Sequence, residues 1–359
     1  MKIGILTYHR SHNYGALLQA VALRTVLQKM GHEVCYVDYW PEYHHRIYSI
    51  PHLSLKGIFT QPRTTIFQYR NICLMKKRKK NFDQFIDKYI EPYCNSLSTE
   101  YDVLIYGSDQ IWRKQPFINE YNPVYFGVHD IKAQKHVSYA ASIDSLPQNI
   151  EDKKQFANLL SNLDKISVRE ESTKDFLSQL GFDDVSLSLD PTLLLNEVEW
   201  NAIIPPNRSI NNGKPYLLFY DLQPGSFDEK EIHHFAEKKK LSIIRITGKG
   251  RFTKNNNDNT TCGPVDFVNY VRNASFVITS SYHGLLFSII FHKQFLVSFI
   301  ANSQRASSIL DMIDCSSRLV DPQSPIYDIS QINQTKVEKL LDKCRLESYN
   351  YLVSILEKI

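Results

Sequence analysis

The sequence predicts an α/β protein built from two doubly wound (Rossmann-like) domains in tandem. Short, continuously apolar strand segments alternate with helical segments, the pattern of parallel sheets covered on both faces. The alternation runs through the first half, breaks at a polar, Pro- and Asn-rich linker before "NNGKPYLL", and then starts again. The length of 359 residues also exceeds what a single core ordinarily serves.

The elements follow in order. "KIGILTY" (2–8) is the first strand, and the polar loop "HRSHN" leads into "YGALLQAVALRTVLQKMG". There Leu17, Val21, Leu23 and Leu27 recur at helical spacing, and Gly31 ends the helix. "EVCYVDY" (33–39) completes a parallel β-α-β unit. "YWPEYHHRIYSIPHLSLKG" reads as aromatic loop. "LMKKRKKNFDQFIDKYI" reads as a helix with Phe82, Phe85, Ile86 and Tyr89 on one face. Its basic run, residues 76–80, reads as solvated helix surface; the alternative is contact with an anionic membrane surface or a lipid-linked acceptor. Four further strands, "YDVLIYG" (101–107), "HVSYAAS" (136–142), "KISVRE" (165–170) and "DVSLSLD" (184–190), precede "DPTLLL", which reads as a domain exit.

In the second half the strands are "YLLFYD" (216–221), "LSIIRITG" (241–248), "SFVITSS" (275–281) and "QFLVSF" (294–299), with helices near 226–239, 264–273, 283–292 and 303–313. "NNNDNTT" (255–261) reads as a polar loop. The expected division is 1–195 as the N-terminal domain and 196–334 as the C-terminal domain. A last helix, 335–359, is expected to cross back onto the first domain.

Composition narrows the function classes. A formal net charge of +4 is small for this length and argues against a dedicated nucleic-acid binder. The six cysteines are scattered without a CxxC pair, which reads as a reduced, cytoplasmic protein. "MKIGILTYHR" has too short an apolar core for a signal peptide, and no apolar run reaches the roughly 20 residues of a membrane helix. The expectation is a soluble protein with at most peripheral contact at the inner face of the membrane.

Open parallel sheets bind ligands beyond the carboxyl ends of their strands, so the loops there hold the candidate residues, and the interdomain cleft is the expected active site. His12, Asn13, Tyr14 and Gly15 precede or open a helix, where free N–H groups suit an anion; the alternative is an Asn cap beside exposed histidines. Ser108, Asp109 and Gln110 leave a buried strand; Asp109 could hold or deprotonate a hydroxyl, or simply cap a helix. Arg169 could clamp a phosphate or carboxylate, or pair with Glu170 and Glu171. His283 and Gly284 open a nearly all-apolar helix, His283 either as a packed cap or facing the cleft, and Arg305 opens the next helix as a second candidate anion clamp. There is no GxGxxG, no GxxxxGK[ST], no GxSxG and no metal-ligand cluster.

These stretches occur in an order that resembles the polysaccharide pyruvyl transferase family: "NYGALLQAVALRTVLQKMGHEVCYVDY", "YDVLIYGSDQIW", "SVREESTKDFLSQLG" with "LDPTLLL", and "SSYHGLLFSIIFHKQFLVSF" with the later "R-x-x-SIL". The resemblance implies a glycosyltransferase-B-like fold and transfer of a pyruvyl group from phosphoenolpyruvate to a sugar diol of a surface polysaccharide or its precursor, forming a cyclic ketal. It implies no cofactor beyond phosphoenolpyruvate as co-substrate, no metal, and a glycan acceptor that is free, nucleotide-linked or lipid-linked. By the same resemblance His283 and Asp109 are catalytic and Arg169 binds the donor; Ser281, Gly284 and Arg305 are further donor-binding candidates, Arg305 as the substitute for an arginine that some members carry. Some members carry an arginine two residues before the histidine, where this chain has Ser281. The alternatives are a glycosyltransferase using a nucleotide-sugar donor on the same fold and a non-catalytic binding protein.

Overall fold

A computed structural model describes residues 1–50, 60, 62–143, 145–207, 210–248, 258–301, 303–326 and 330–357. In the first half, β1 (Lys2–Leu6), α1 (Tyr14–Lys29), β2 (Glu33–Val37), α2 (Glu42–Tyr48), α3 (Pro62–Tyr89), β3 (Cys94–Asn95), β4 (Tyr101–Tyr106) and β5 (Ala133–Ser138) form an all-parallel sheet with its helices. Then come α4 (Ile150–Leu160), β6 (Ile166–Val168), α5 (Glu171–Gln179), β7 (Val185–Leu187) and α6 (Glu197–Ile203). The pair β6–β7 extends the sheet through single bridges from Val137 to Lys165 and from Ala141 to Val168.

The second half repeats the plan with β8 (Tyr216–Asp221), α7 (Glu229–Lys238), β9 (Ser242–Thr247), β10 (Asp258–Asn259), α8 (Pro264–Asn273), β11 (Phe276–Thr279), α9 (Tyr282–Ile290), β12 (Gln294–Val297), α10 (Gln304–Met312) and α11 (Gln334–Leu356). The strand orders are β3-β2-β1-β4-β5 and β10-β9-β8-β11-β12, so the same Rossmann-like topology occurs twice. In each sheet the order reverses beside its first strand. Those switch points bring the loops after β1 and β4 together in one half, and the loops after β8 and β11 together in the other.

The halves share apolar packing. Tyr14 stacks on Phe82 of α3 at 5.1 Å and on Phe267 of α8 at 4.8 Å, and its hydroxyl donates to the Cys262 carbonyl at 2.9 Å. Arg78 is buried there and donates to Tyr14 Oη at 3.1 Å and to the Thr260 carbonyl at 3.2 Å. The basic run is therefore not uniformly solvated. Arg78 lies one helical turn before Phe82 and shares its inward face, while Lys76, Lys77 and Lys80 are exposed. On α11, Ser348 Oγ accepts from Leu189 N at 2.9 Å, Tyr351 Oη donates to Ser138 O at 2.7 Å, and Arg345 Nε donates to Leu193 O at 2.7 Å.

Two stretches read as loop are ordered elements. Residues 42–48 form α2 behind Pro41, whose φ of −67° suits a helix start, with Tyr43 and His44 buried; residues 51–57 of that stretch lie outside the described residues. Asp258 and Asn259 form a two-residue edge strand on β9, and 255–257 lie outside the described residues. No helix among the described residues is long and apolar enough to cross a membrane.

Candidate active site

His283 sits in the first turn of α9, at the switch point of the second sheet. Its side chain is 13% exposed, and Nε2 lies 3.4 Å from Asp190 Oδ2, an ion-pair contact longer than an ordinary hydrogen bond. Nε2 is buried without a hydrogen-bond partner. The other face of the ring rests on Gly15, the second residue of α1: a Cβ built there would lie 1.9 Å from His283 Nδ1. The two halves thus meet at this ring.

Asp190 is fully enclosed. Its Oδ2 accepts from Arg169 Nη1 at 2.6 Å, and its Oδ1 accepts from Thr192 N and Oγ1 at 3.0 and 2.7 Å. Burial alone would raise this carboxyl. The neighbouring His283 and Arg169, with the Thr192 N–H, outweigh burial and hold it well below the usual carboxylate range. Arg169 also donates from Nε to Glu170 Oε1 at 3.1 Å and stacks over the Tyr282 ring at 4.7 Å. Burial opposes its charge, and Glu170, Tyr282 and Asp190 more than restore it. Glu170 Oε1 accepts from Ser142 Oγ at 2.8 Å and lies 3.9 Å from Arg305 Nε. Its Oε2 is buried with no hydrogen-bond partner.

The result is a chain of charged contacts that leaves the second half at His283, passes through Asp190, Arg169 and Glu170 of the first half, and returns to the second half at Arg305. It ends at a cavity of about 300 Å³ walled by Ile143, Ser145, Glu170 and Thr173 from the first half and by Ser303 and Arg305 from the second. The first turns of α5 and α10 both contribute to this wall, so two helix N-termini add positive potential to that of Arg305.

Several residues expected to touch ligands have internal work instead. Arg169 is buried against two carboxylates, so its guanidinium is not open as a clamp. Ser281 is buried as the cap of α9, its Oγ accepting from Gly284 N at 3.3 Å. Gly284 is packed against Thr279: a Cβ there would lie 2.5 Å from Thr279 Oγ1. Asn13 caps α1 through Gly15 N at 2.9 Å, and Tyr14 is interdomain core. Ser108 is buried, its N–H donating to Gln19 Oε1 at 3.2 Å, and the Gln110 carbonyl accepts from Tyr8 Oη at 3.2 Å. Asp109 stands half-buried in the left-handed region (φ 62°), its Oδ1 accepting from Gln110 N at 2.8 Å. His12 lines a separate cavity, with Nε2 3.2 Å from Asp83 Oδ1.

Asp190 and Glu170 were not singled out from the sequence. Asp190 lies in "LDPT", which reads as a domain exit, and Glu170 read only as a neutralising neighbour of Arg169. The usable signal was their shared position beyond the carboxyl ends of β7 and β6. His9, Asp38 and Cys94 each bring one atom of metal-ligand type within 4.8 Å of the others. Arg10 already bonds Asp38 at 2.9 Å and reaches Cys94 Sγ at 3.8 Å, so a guanidinium supplies the positive charge at that cluster.

The family model of the polysaccharide pyruvyl transferases matches residues 13–302. The chain belongs to that family. The matched stretch contains Arg169, Glu170, Asp190 and His283 and stops three residues before Arg305. No curated protein matches the chain. Among solved structures it is similar to UDP-GlcNAc 2-epimerase from Methanocaldococcus jannaschii, with 10% identity and a TM-score of 0.50 over 95% of this chain and 92% of that one. The same enzyme in complex with UDP-GlcNAc and UDP gives 12% identity and a TM-score of 0.49 over 99% of each chain. The glycosyltransferase SnogD from Streptomyces nogalater gives 11% and 0.40 over 97% and 95%. The fold of this pyruvyl transferase family member is of the glycosyltransferase-B type.

Proposed function

We propose that the protein transfers a pyruvyl group from phosphoenolpyruvate to two hydroxyls of a surface-polysaccharide sugar, forming a cyclic ketal, with no further cofactor. Residues 1–195 would serve the acceptor and 196–334 the donor. The observation that supports the reading is the chain of contacts from His283 through Asp190 and Arg169 to Glu170 and Arg305, the last two of which wall the interdomain cavity.

In this scheme Arg305 and the two helix starts hold the phosphate and carboxylate of the donor. His283 gives a proton to the donor's methylene carbon, which becomes a methyl group as the neighbouring carbon becomes electrophilic. The ionised Asp190 balances the imidazolium that carries this proton. One sugar hydroxyl attacks, the C–O bond to phosphate breaks, and the second hydroxyl closes the ring. Of the two hydroxyl protons, one restores His283 and the other passes through the base to the departing phosphate. Asp109 was the base expected from sequence. Glu170 fits that role better, because Oε2 has no partner on a cavity wall while Asp109 Oδ1 is engaged by its own loop.

The test is incubation with phosphoenolpyruvate and candidate glycans, reading phosphate release and a mass gain on the glycan. Acceptor-dependent release, abolished in a folded His283→Ala variant, is the expected result. Stabilisation by a nucleotide sugar and not by phosphoenolpyruvate would refute the reading in favour of glycosyl transfer.

A further inference from the structure

His12 belongs to the wall of a second cavity, of about 580 Å³, at the carboxyl ends of β1 and β2. That size suits one or two sugar rings. One side is aromatic: Trp40 and Tyr48 lie 6.0 Å apart with their planes 24° from parallel, and His12 leans on Tyr48 at 5.5 Å. The other side is charged. Arg10 pairs with Asp38 and Glu91, and Lys79 and His12 both reach Asp83. Asp87 adds a further exposed carboxylate to this wall. Four carboxylates therefore face two permanent cations.

This balance selects the ligand class. An anion would meet an excess of negative charge. A wholly apolar ligand would leave the carboxylates without donors. A neutral pyranose satisfies both walls, with its C–H face on the aromatic rings and its hydroxyls donating to carboxylates, which only accept. We infer that this cavity is a carbohydrate subsite, gripping a neutral ring of the acceptor glycan between Trp40 and Tyr48 on one side and Asp87 with its neighbours on the other. The inference rests on the reading that the acceptor is a glycan. His12 and Gly15 stand at one end of α1, so the subsite and the His283 ring flank the same helix start.

Tryptophan emission offers a direct test, because Trp112 and Trp200 are 0% exposed and Trp40 is the partly exposed one of the three. The protein is titrated with methyl β-galactoside, methyl α-mannoside and N-acetylglucosamine, with sodium phosphate as the anionic control. Support is a saturable change with at least one sugar that disappears in Trp40→Phe. In Asp87→Asn, which keeps the reporter, the affinity should fall on the order of tenfold through loss of a charged acceptor. No saturable response to any sugar, a response that persists in Trp40→Phe, or an equal response to phosphate overturns the subsite. The titration contains no phosphoenolpyruvate, so sugar binding without pyruvyl transfer would defeat the reaction reading alone. Transfer with an unchanged glycan KM in Trp40→Ala would defeat the subsite alone.

Discussion

Gly15 and His283 touch across the two halves of the chain, with room at position 15 for a hydrogen and nothing larger. A Cβ 1.9 Å from Nδ1 would force the imidazole out of its place beside Asp190. Gly15→Ala is therefore expected to lower kcat on the order of 100-fold, the scale of a misplaced reacting group. Overpacking should cost only about 1–3 kcal/mol of stability. Steady-state kinetics beside circular dichroism checks this; wild-type turnover in the folded variant would mean the ring position is not required.

Asp190 is the carboxylate that Arg169 and His283 share in a closed space. Asp190→Asn leaves Arg169 and His283 without it, and removing one member of a buried ion pair costs about 3–5 kcal/mol. The folded-state carboxyl is held below its ordinary value. Its stabilisation is therefore complete above the unfolded pKa, near 3.9, and is lost as pH falls below that toward the folded value. Urea midpoints from pH 6 to pH 2 should fall for the wild type below about pH 4. That component should be absent in the variant, and parallel curves would contradict the pairing.

Glu170→Gln keeps the shape of the side chain and removes its basicity. If Oε2 takes the hydroxyl proton, kcat should fall on the order of 10²–10⁴-fold, with the KM for phosphoenolpyruvate little changed. A rise in that KM at constant kcat would make Glu170 a positioning residue for Arg305 instead.

The strands were legible because parallel strands buried on both faces are written as unbroken apolar runs; they formed close to their expected bounds except 136–142, which formed as Ala133–Ser138. What escaped was written in other terms. The helix α2 is seven residues of aromatic and charged side chains with no apolar stripe. Strand β10 is two polar residues that pair only because β9 presents an edge. Arg78 was hidden by counting charges in a row; its i+4 relation to Phe82 placed it on the buried face all along. At the site, sequence position identified His283 and Arg305 as strand-end residues. It could not show that Arg169 would be consumed by Asp190, because that bond depends on how β6 and β7 pair.

Two buried histidines should make the protein acid-sensitive before the carboxylates titrate. Burial pushes His9 down to about 4 and His44 down to about 3. A lowered histidine gives stability that is complete above the unfolded pKa and is lost as pH falls through the window down to the folded value. For His9 that window runs from about 6.5 to about 4 and is worth about 3 kcal/mol. His9→Gln should flatten part of the fall in urea midpoint between pH 6.5 and pH 4, leaving the share that belongs to His44. An unaltered slope would show that His9 does not resist protonation in the fold.

The basic run separates two kinds of cation within five residues. Arg78 ties α3 to Tyr14 and to the Thr260 carbonyl, and its guanidinium stacks 5.3 Å from the Tyr14 ring and 5.0 Å from the Phe82 ring. Arg78→Ala leaves those partners unsatisfied inside the contact between the halves, so a loss of about 2–4 kcal/mol is expected. Lys76→Gln and Lys77→Gln touch exposed positions and should stay within about 0.5 kcal/mol of wild type. Chemical denaturation of the three variants distinguishes the cases. Any vesicle binding by the run should follow the lysines and not Arg78, because a buried guanidinium already bonded across the halves has no charge to offer a lipid headgroup.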